Sequence, residues 1–129
     1  MAKLNFKGKL TIDDQYIETG LSLLQFVEDG VVIIYSAELD LTGSGYDINE
    51  AKASFWETLS EFIRYGVKKG TLWAELKRLG WKVKGTKKNK VISSPDFKDI
   101  FDSNEEFKDI ILNKDYRKFT EKVHIPQFA

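Results

Sequence analysis

Between residues 31 and 63 the spacing of apolar side chains changes from a two-residue to a helical period. A chain that does this has to pack a helix against a sheet. Val31, Val32, Ile33, Ile34 and Tyr35 begin as a continuous run, apolar on both faces, and the run passes into alternation through Ala37, Leu39 and Leu41. From Ile48 the apolar positions are 48, 51, 55, 59, 62 and 63, one stripe of a helix, with Trp56 beside it. Thr42, Gly43, Ser44 and Gly45 lie between the two patterns and read as the chain reversal, the glycines permitting positive φ. Asp47, three residues before Glu50, forms a capping box with Asp in the Ser/Thr place. Lys68 and Lys69 suit the last turn, and Gly70 supplies the stop. The spacing predicts a helix of about five or six turns lying across one face of the sheet.

The flanking segments complete an α+β plan. Leu4, Phe6, Leu10 and Ile12 alternate loosely as a first strand, and Leu21, Leu23, Leu24, Phe26 and Val27 form a second. Asp29-Gly30 between apolar runs is a strong hairpin signal. These runs and residues 31–41 predict a three-stranded antiparallel meander whose third strand is central, because its start is apolar on both faces. Thr71 opens a shorter helix carrying Leu72, Leu76 and Leu79, stopped by Gly80. Trp81, Lys82, Val83 and Lys84 alternate as a fourth strand at the sheet edge, where lysines are common guards. Val91 and Ile92 read as a short returning strand.

Pro95 suits the first turn of a helix bearing Phe97, Ile100 and Phe101. Ser103 and Glu106 form a second capping box before Phe107, Ile110 and Ile111. Tyr116, Phe119, Val123 and Ile125 continue the packing. The organisation expected is one domain over residues 1–129, with an α+β core at 1–85 and a C-terminal helical extension at 86–129.

Composition narrows the function. The chain has no cysteine, which excludes disulfides and thiolate chemistry. The first residues lack the apolar core of a signal peptide, and no apolar run approaches the roughly 20 residues that span a bilayer, so a cytoplasmic protein without a membrane partner is expected. The net charge of zero is unevenly spread: residues 1–65 hold 5 Lys/Arg against 11 Asp/Glu, and the remainder holds 15 against 9. Such polarity suits a partner surface or self-association.

Catalytic chemistry finds little support. His124 is the single histidine and has no cysteine to activate, and a zinc site lacks ligands. Gly43-Ser44-Gly45 is too short for a phosphate-binding glycine loop. Glu38 and Asp40 share a strand face and Asp47 begins the following helix, an arrangement reminiscent of two-metal nucleases. Capping explains Asp47, however, and the turn explains Asp40. A non-enzymatic protein without cofactor, metal site or catalytic residue is expected. Lys82, Lys84, Lys87, Lys88 and Lys90, beside Trp81 and preceded by Lys77 and Arg78, are candidates for phosphate contact, with an aromatic available to stack a base. Trp73 beside the short helix's leucines, with Arg78 and Trp81, is the candidate anchor for a protein partner.

Residues 31–65 resemble the N-terminal domain of HicB antitoxins. That family's strand ends in Asp-Leu-Pro-Gly, and a Gly-Asp-Thr-x-Glu-Glu-Ala segment then opens a long helix. Asp40-Leu41-Thr42-Gly43 matches the first part with Thr42 in place of proline; Gly45-Tyr46-Asp47-Ile48-Asn49-Glu50-Ala51 matches the second through its glycine, glutamate and alanine. The excursion between the two glycines is shortened here. The resemblance implies a truncated ribonuclease-H-like sheet without catalytic carboxylates, and binding that neutralises a small ribonuclease toxin of the HicA type. Residues 86–129 show no helix-turn-helix or ribbon-helix-helix, so transcriptional autoregulation is not carried over. Residues 70–80 also echo a helix of HicA toxins, without their catalytic histidine. Two other readings remain: a nucleic-acid-associated protein using the 82–90 lysines, and a self-associating structural protein of mobile-element origin.

Overall fold

The computed structural model describes residues 16–86 and 89–126. Ten elements follow one another: β1 (Tyr16–Glu28), β2 (Val31–Ser36), β3 (Leu41–Gly45), α1 (Ile48–Lys69), α2 (Leu72–Arg78), β4 (Lys82–Gly85), β5 (Lys90–Ser93), α3 (Phe97–Ser103), α4 (Glu105–Asn113) and β6 (Arg117–Pro126). The fold is α+β. Four antiparallel strands form the main sheet in the order β3-β2-β1-β6, and β4 and β5 make a separate two-stranded ribbon.

The period-2 rule sorts the strands' side chains between two layers of helices. Leu21 and Leu23 of β1, Ile34 of β2, and Val123 and Ile125 of β6 pack with Ala51, Phe55, Leu59 and Ile63 of α1 and with Leu72 and Leu76 of α2. On the opposite side, Leu24, Phe26 and Tyr35 pack with Phe107 and Ile110 of α4. β1 and β2 are interior strands covered on both faces, which is why the 31–35 run shows no alternation. Asp29 and Gly30 join them, both at positive φ (53° and 78°), as a two-residue hairpin with this dipeptide requires.

The chain does not reverse where its glycines stand. The predicted single strand over 31–41 breaks after Ser36, turns through residues 37–40 with Asp40 in the left-handed region at φ 55°, and resumes as β3. Gly43, Ser44 and Gly45 are therefore strand residues, paired with Ile34, Ile33 and Val32. Their small size serves close approach. A Cβ at Gly43 would stand 2.4 Å from the Phe55 backbone nitrogen, and one at Gly45 would stand 2.4 Å from Glu50 Cβ. α1 thus rests directly on the backbone of β3.

The predicted cap on α1 forms: Glu50 N–H donates to Asp47 Oδ1 at 2.8 Å. The reciprocal bond falls one residue earlier than in the usual box, with Tyr46 N–H donating to Glu50 Oε1 at 2.9 Å. Gly70 closes the helix at φ 69°. α4 is capped by Asn104, whose Oδ1 accepts from Phe107 N–H at 3.0 Å, and not by Ser103, which donates to the Asp99 carbonyl.

Two further expectations give way. Residues 82–84 do not extend the main sheet; β4 pairs only with β5. The C-terminal segment is not all helical, because residues 117–126 form β6, a strand in register with β1 from Gln25↔Arg117 to Tyr16↔Pro126. Its inward row is Phe119, Glu121, Val123 and Ile125, and the acid in that row conceals the alternation. The strand expected at residues 4–12 lies outside the described residues.

Candidate functional site

One hollow of about 570 Å³ lies between α1 and α2, and two more lie where the β2–β3 turn meets α3 and α4. Glu38, in that turn, is the residue around which this second region is built. β2 leaves the sheet after Ser36, so on that side β1 has no strand partner at Ser22, while its other side stays paired with β6. The Glu38 carboxylate takes the place of the missing strand, its Oε1 accepting from Ser22 N–H at 2.6 Å. The Glu38 carbonyl in turn accepts from the indole N–H of Trp81 at 2.8 Å. Glu38 is 8% exposed. Burial holds its carboxyl above the usual carboxylate range, against the opposing pull of the Ser22 N–H, the Lys118 ammonium and the Ser94 hydroxyl.

Two hollows flank this turn and share Ala37, Pro95 and Ile100 as a common wall. The outer one, about 500 Å³, is polar, with Asp40, Arg78, Asp99, Asn104 and Glu105 on its rim. A short chain of hydrogen bonds joins two of its lining residues, Asp40 and Asn104: Tyr35 O–H donates to Asp40 Oδ1 at 2.9 Å, and Asn104 Nδ2 donates to Tyr35 Oη at 2.8 Å. Burial, with the Asp40 charge adding to it, pushes the Tyr35 phenol well above its ordinary value, so it remains a neutral donor. Asn104 thereby ties the start of α4 to the turn between β2 and β3. The inner hollow, about 310 Å³, lies between β1 and the α3–α4 pair and has Glu38 in its wall.

The fold brings together only some of the residues singled out in the sequence. Trp81 is 3% exposed and spends its indole on Glu38, so its ring is turned into the protein. Trp73 is partly buried against the α1-side core, with Lys90 Nζ over its ring at 5.3 Å. Arg78 lies on the rim of the outer hollow and forks onto Glu75 of its own helix, at 2.8 Å through Nε and 2.5 Å through Nη2. Lys82 and Lys84 are exposed on one face of the β4–β5 ribbon, while Val83 and Ile92 of its other face pack against the core. Lys87 and Lys88 lie outside the described residues.

His124 stands opposite Glu18 across the β1–β6 pair, 3.4 Å away. Glu121 is 1% exposed, faces α1 and, among the described residues, has no hydrogen-bond partner for either carboxylate oxygen. Burial raises its pKa, with Lys52 opposing. Among the described residues no three His, Cys, Asp or Glu side chains are grouped to hold a metal ion, and no helix is long and apolar enough to cross a membrane.

The sequence places Glu38 on a strand face beside Asp40, whereas the structure buries it in the β2–β3 turn, where no neighbouring residue in the chain signals its role.

α3 and α4 form an outer surface of one charge. Asp96, Asp99, Asp102, Glu105, Glu106 and Asp109 are all exposed, against only Lys98 and Lys108 over residues 96–113. Phe97 and Leu112 remain 57% and 64% exposed among them. Comparisons of the chain with protein families, with curated proteins and with solved structures return no match.

Proposed function

We propose that this protein is a non-enzymatic binding module that acts through a protein partner, in the manner of a HicB-type antitoxin. The observation that carries the reading is the acidic, partly apolar outer surface of α3 and α4. A small ribonuclease must itself hold a polyanion and so presents a basic face. An acidic surface bearing Phe97 and Leu112 complements that face in charge and offers exposed apolar anchors. The 40–51 resemblance supports the same partner class. Its residues act as an architectural joint: Gly43 and Gly45 admit α1, and Asp47 caps it.

Co-expression with the product of the neighbouring gene, followed by purification through a tag on one chain, tests the proposal. A stoichiometric complex is expected, weakened by salt and by the double reversal Asp99→Lys with Glu105→Lys. A neighbour that is neither toxic nor bound removes the antitoxin reading. A complex indifferent to the double reversal removes α3–α4 as its surface.

A second reading is nucleic-acid contact through the β4–β5 ribbon, favoured by Lys82 and Lys84 standing together on its solvent face. Phosphate contact of this kind weakens steeply as salt rises. Absence of binding to a short duplex or single strand at low salt ends that reading.

A further inference from the structure

The side of the sheet covered by α3 and α4 is not filled. The inner hollow of about 310 Å³ is at the lower end of the roughly 300–1,000 Å³ that small-molecule sites occupy. Leu24, Phe97, Ile100, Phe107 and Ile111 give it apolar walls. Glu38 is the one buried charged side chain in its lining. The other charged group is Lys118 of β6, which is exposed and, among the described residues, acts on Glu38 without a direct ion pair. Tyr116, just before β6, adds a phenol, and Ser22 and Ser94 add hydroxyls. α3 and α4 contribute no charged side chain to the lining.

A buried carboxylate beside unfilled apolar space is incompletely compensated. Burial removes most of its hydration, and the Ser22 N–H and the neighbouring hydroxyl leave acceptor capacity for a further donor. A neutral guest leaves that deficit in place, and an anion worsens it. An ammonium carried on hydrocarbon corrects it, placing opposite charge against Glu38 and filling the apolar remainder.

We propose that this cavity binds a small primary amine with a compact apolar body, the ammonium against Glu38 and the hydrocarbon among Leu24, Ile100 and Ile111. The proposal does not depend on a protein partner, although Phe97 belongs both to the cavity wall and to the outer surface of α3 and α4. Binding is linked to protons. Burial keeps Glu38 protonated above the usual carboxylate range, so seating an ammonium beside it expels that proton, and affinity rises with pH until the carboxyl is ionised.

The test uses phenethylamine as probe and 3-phenylpropionate, a similar body with the opposite charge, as control, read by methyl NMR shifts and calorimetry on the full chain. Phenethylamine is expected to saturate with shifts at Leu24, Ile100 and Ile111. Phenylpropionate should bind at least about tenfold more weakly, the worth of one charge-assisted contact. Glu38→Gln keeps an acceptor for Ser22 N–H while removing the charge, and should lose a similar factor. Ile111→Trp fills the cavity without touching Glu38 and should abolish the shifts. No saturable shift, equal binding of amine and carboxylate, or undiminished binding by Glu38→Gln would overturn the proposal and leave Glu38 a structural role only. If either variant fails to fold, the contrast between the two probes on the unaltered chain decides.

Discussion

The two faces of the main sheet are built from alternate residues of the same strands, yet they are covered differently. Against α1, Leu23, Ile34, Phe55 and Leu59 are fully excluded from solvent. Against α4, Phe26 and Phe107 keep 7% and 6% exposure, and a cavity remains beside them. The strands offer apolar side chains to both sides, so the difference originates in the helices. α1 has 22 residues and settles onto the bare backbone of Gly43 and Gly45. α3 has seven residues, none buried, and α4 has nine, with Asn104 between them as the cap of one helix and the end of the other. Two short helices leave space beside the sheet where one long helix covers it. The packed side holds the fold, and the open side has room for binding.

Paired truncations test that contrast most severely. Phe55→Ala should lower the unfolding free energy by about 3–5 kcal/mol. Phe107→Ala should cost about 3 kcal/mol or less, since empty space beside it lets neighbours relax. Urea unfolding of both variants measures the difference, and equal losses would show that the two faces are packed alike.

A smaller effect of opposite sign is expected from Glu121, the flaw in the packed side. Glu121→Leu replaces a buried carboxylate that has no hydrogen-bond partner among the described residues with the side chain its position favours, and should raise stability by about 1–3 kcal/mol. A destabilised variant would mean that the Lys52 charge compensates Glu121 more fully than its geometry suggests.

The smallest effect concerns pH. The native state holds the Glu38 proton where the unfolded chain, titrating near about 4.3, has released it. Stability contributed by this group is therefore present at low pH and declines as pH rises from the ordinary carboxylate range through the higher folded value. Glu121 has the same sign, so the contribution of Glu38 is isolated by comparing Glu121→Leu with and without Glu38→Gln. The second substitution should flatten the remaining slope in thermal midpoint; an unchanged slope would place the titration elsewhere.

The packed side was largely legible in the sequence and the open side was not. α1 announced itself through its stripe, its Asp47 cap and its Gly70 stop, all local signals. The hairpin at Asp29-Gly30 was equally local. The glycines at 43 and 45 misled because glycine marks both reversal and close approach, and only the position of α1 tells which is meant. β6 was hidden by Glu121, whose charge interrupts an otherwise regular inward row. Glu38 could not be recognised because its role is to replace a hydrogen bond that β2 abandons, and nothing within a few residues records where a strand leaves its neighbour. Of the residues nominated for partner contact, Trp81 is engaged in the interior for the same reason: its acceptor lies 43 residues earlier in the chain.

The pairing of β1 with β6 also sets a timetable. The first interior strand is complete at Glu28, but its second neighbour begins at Arg117. At the roughly 5–20 residues per second of synthesis, this leaves one edge of β1 without its native partner for about 5–20 s on the ribosome. β2, β3 and α1 can assemble on one side during that interval, while the other edge keeps its backbone donors and acceptors in water or against a chaperone. The sheet is thus completed at one edge by β6, the last of its four strands to emerge.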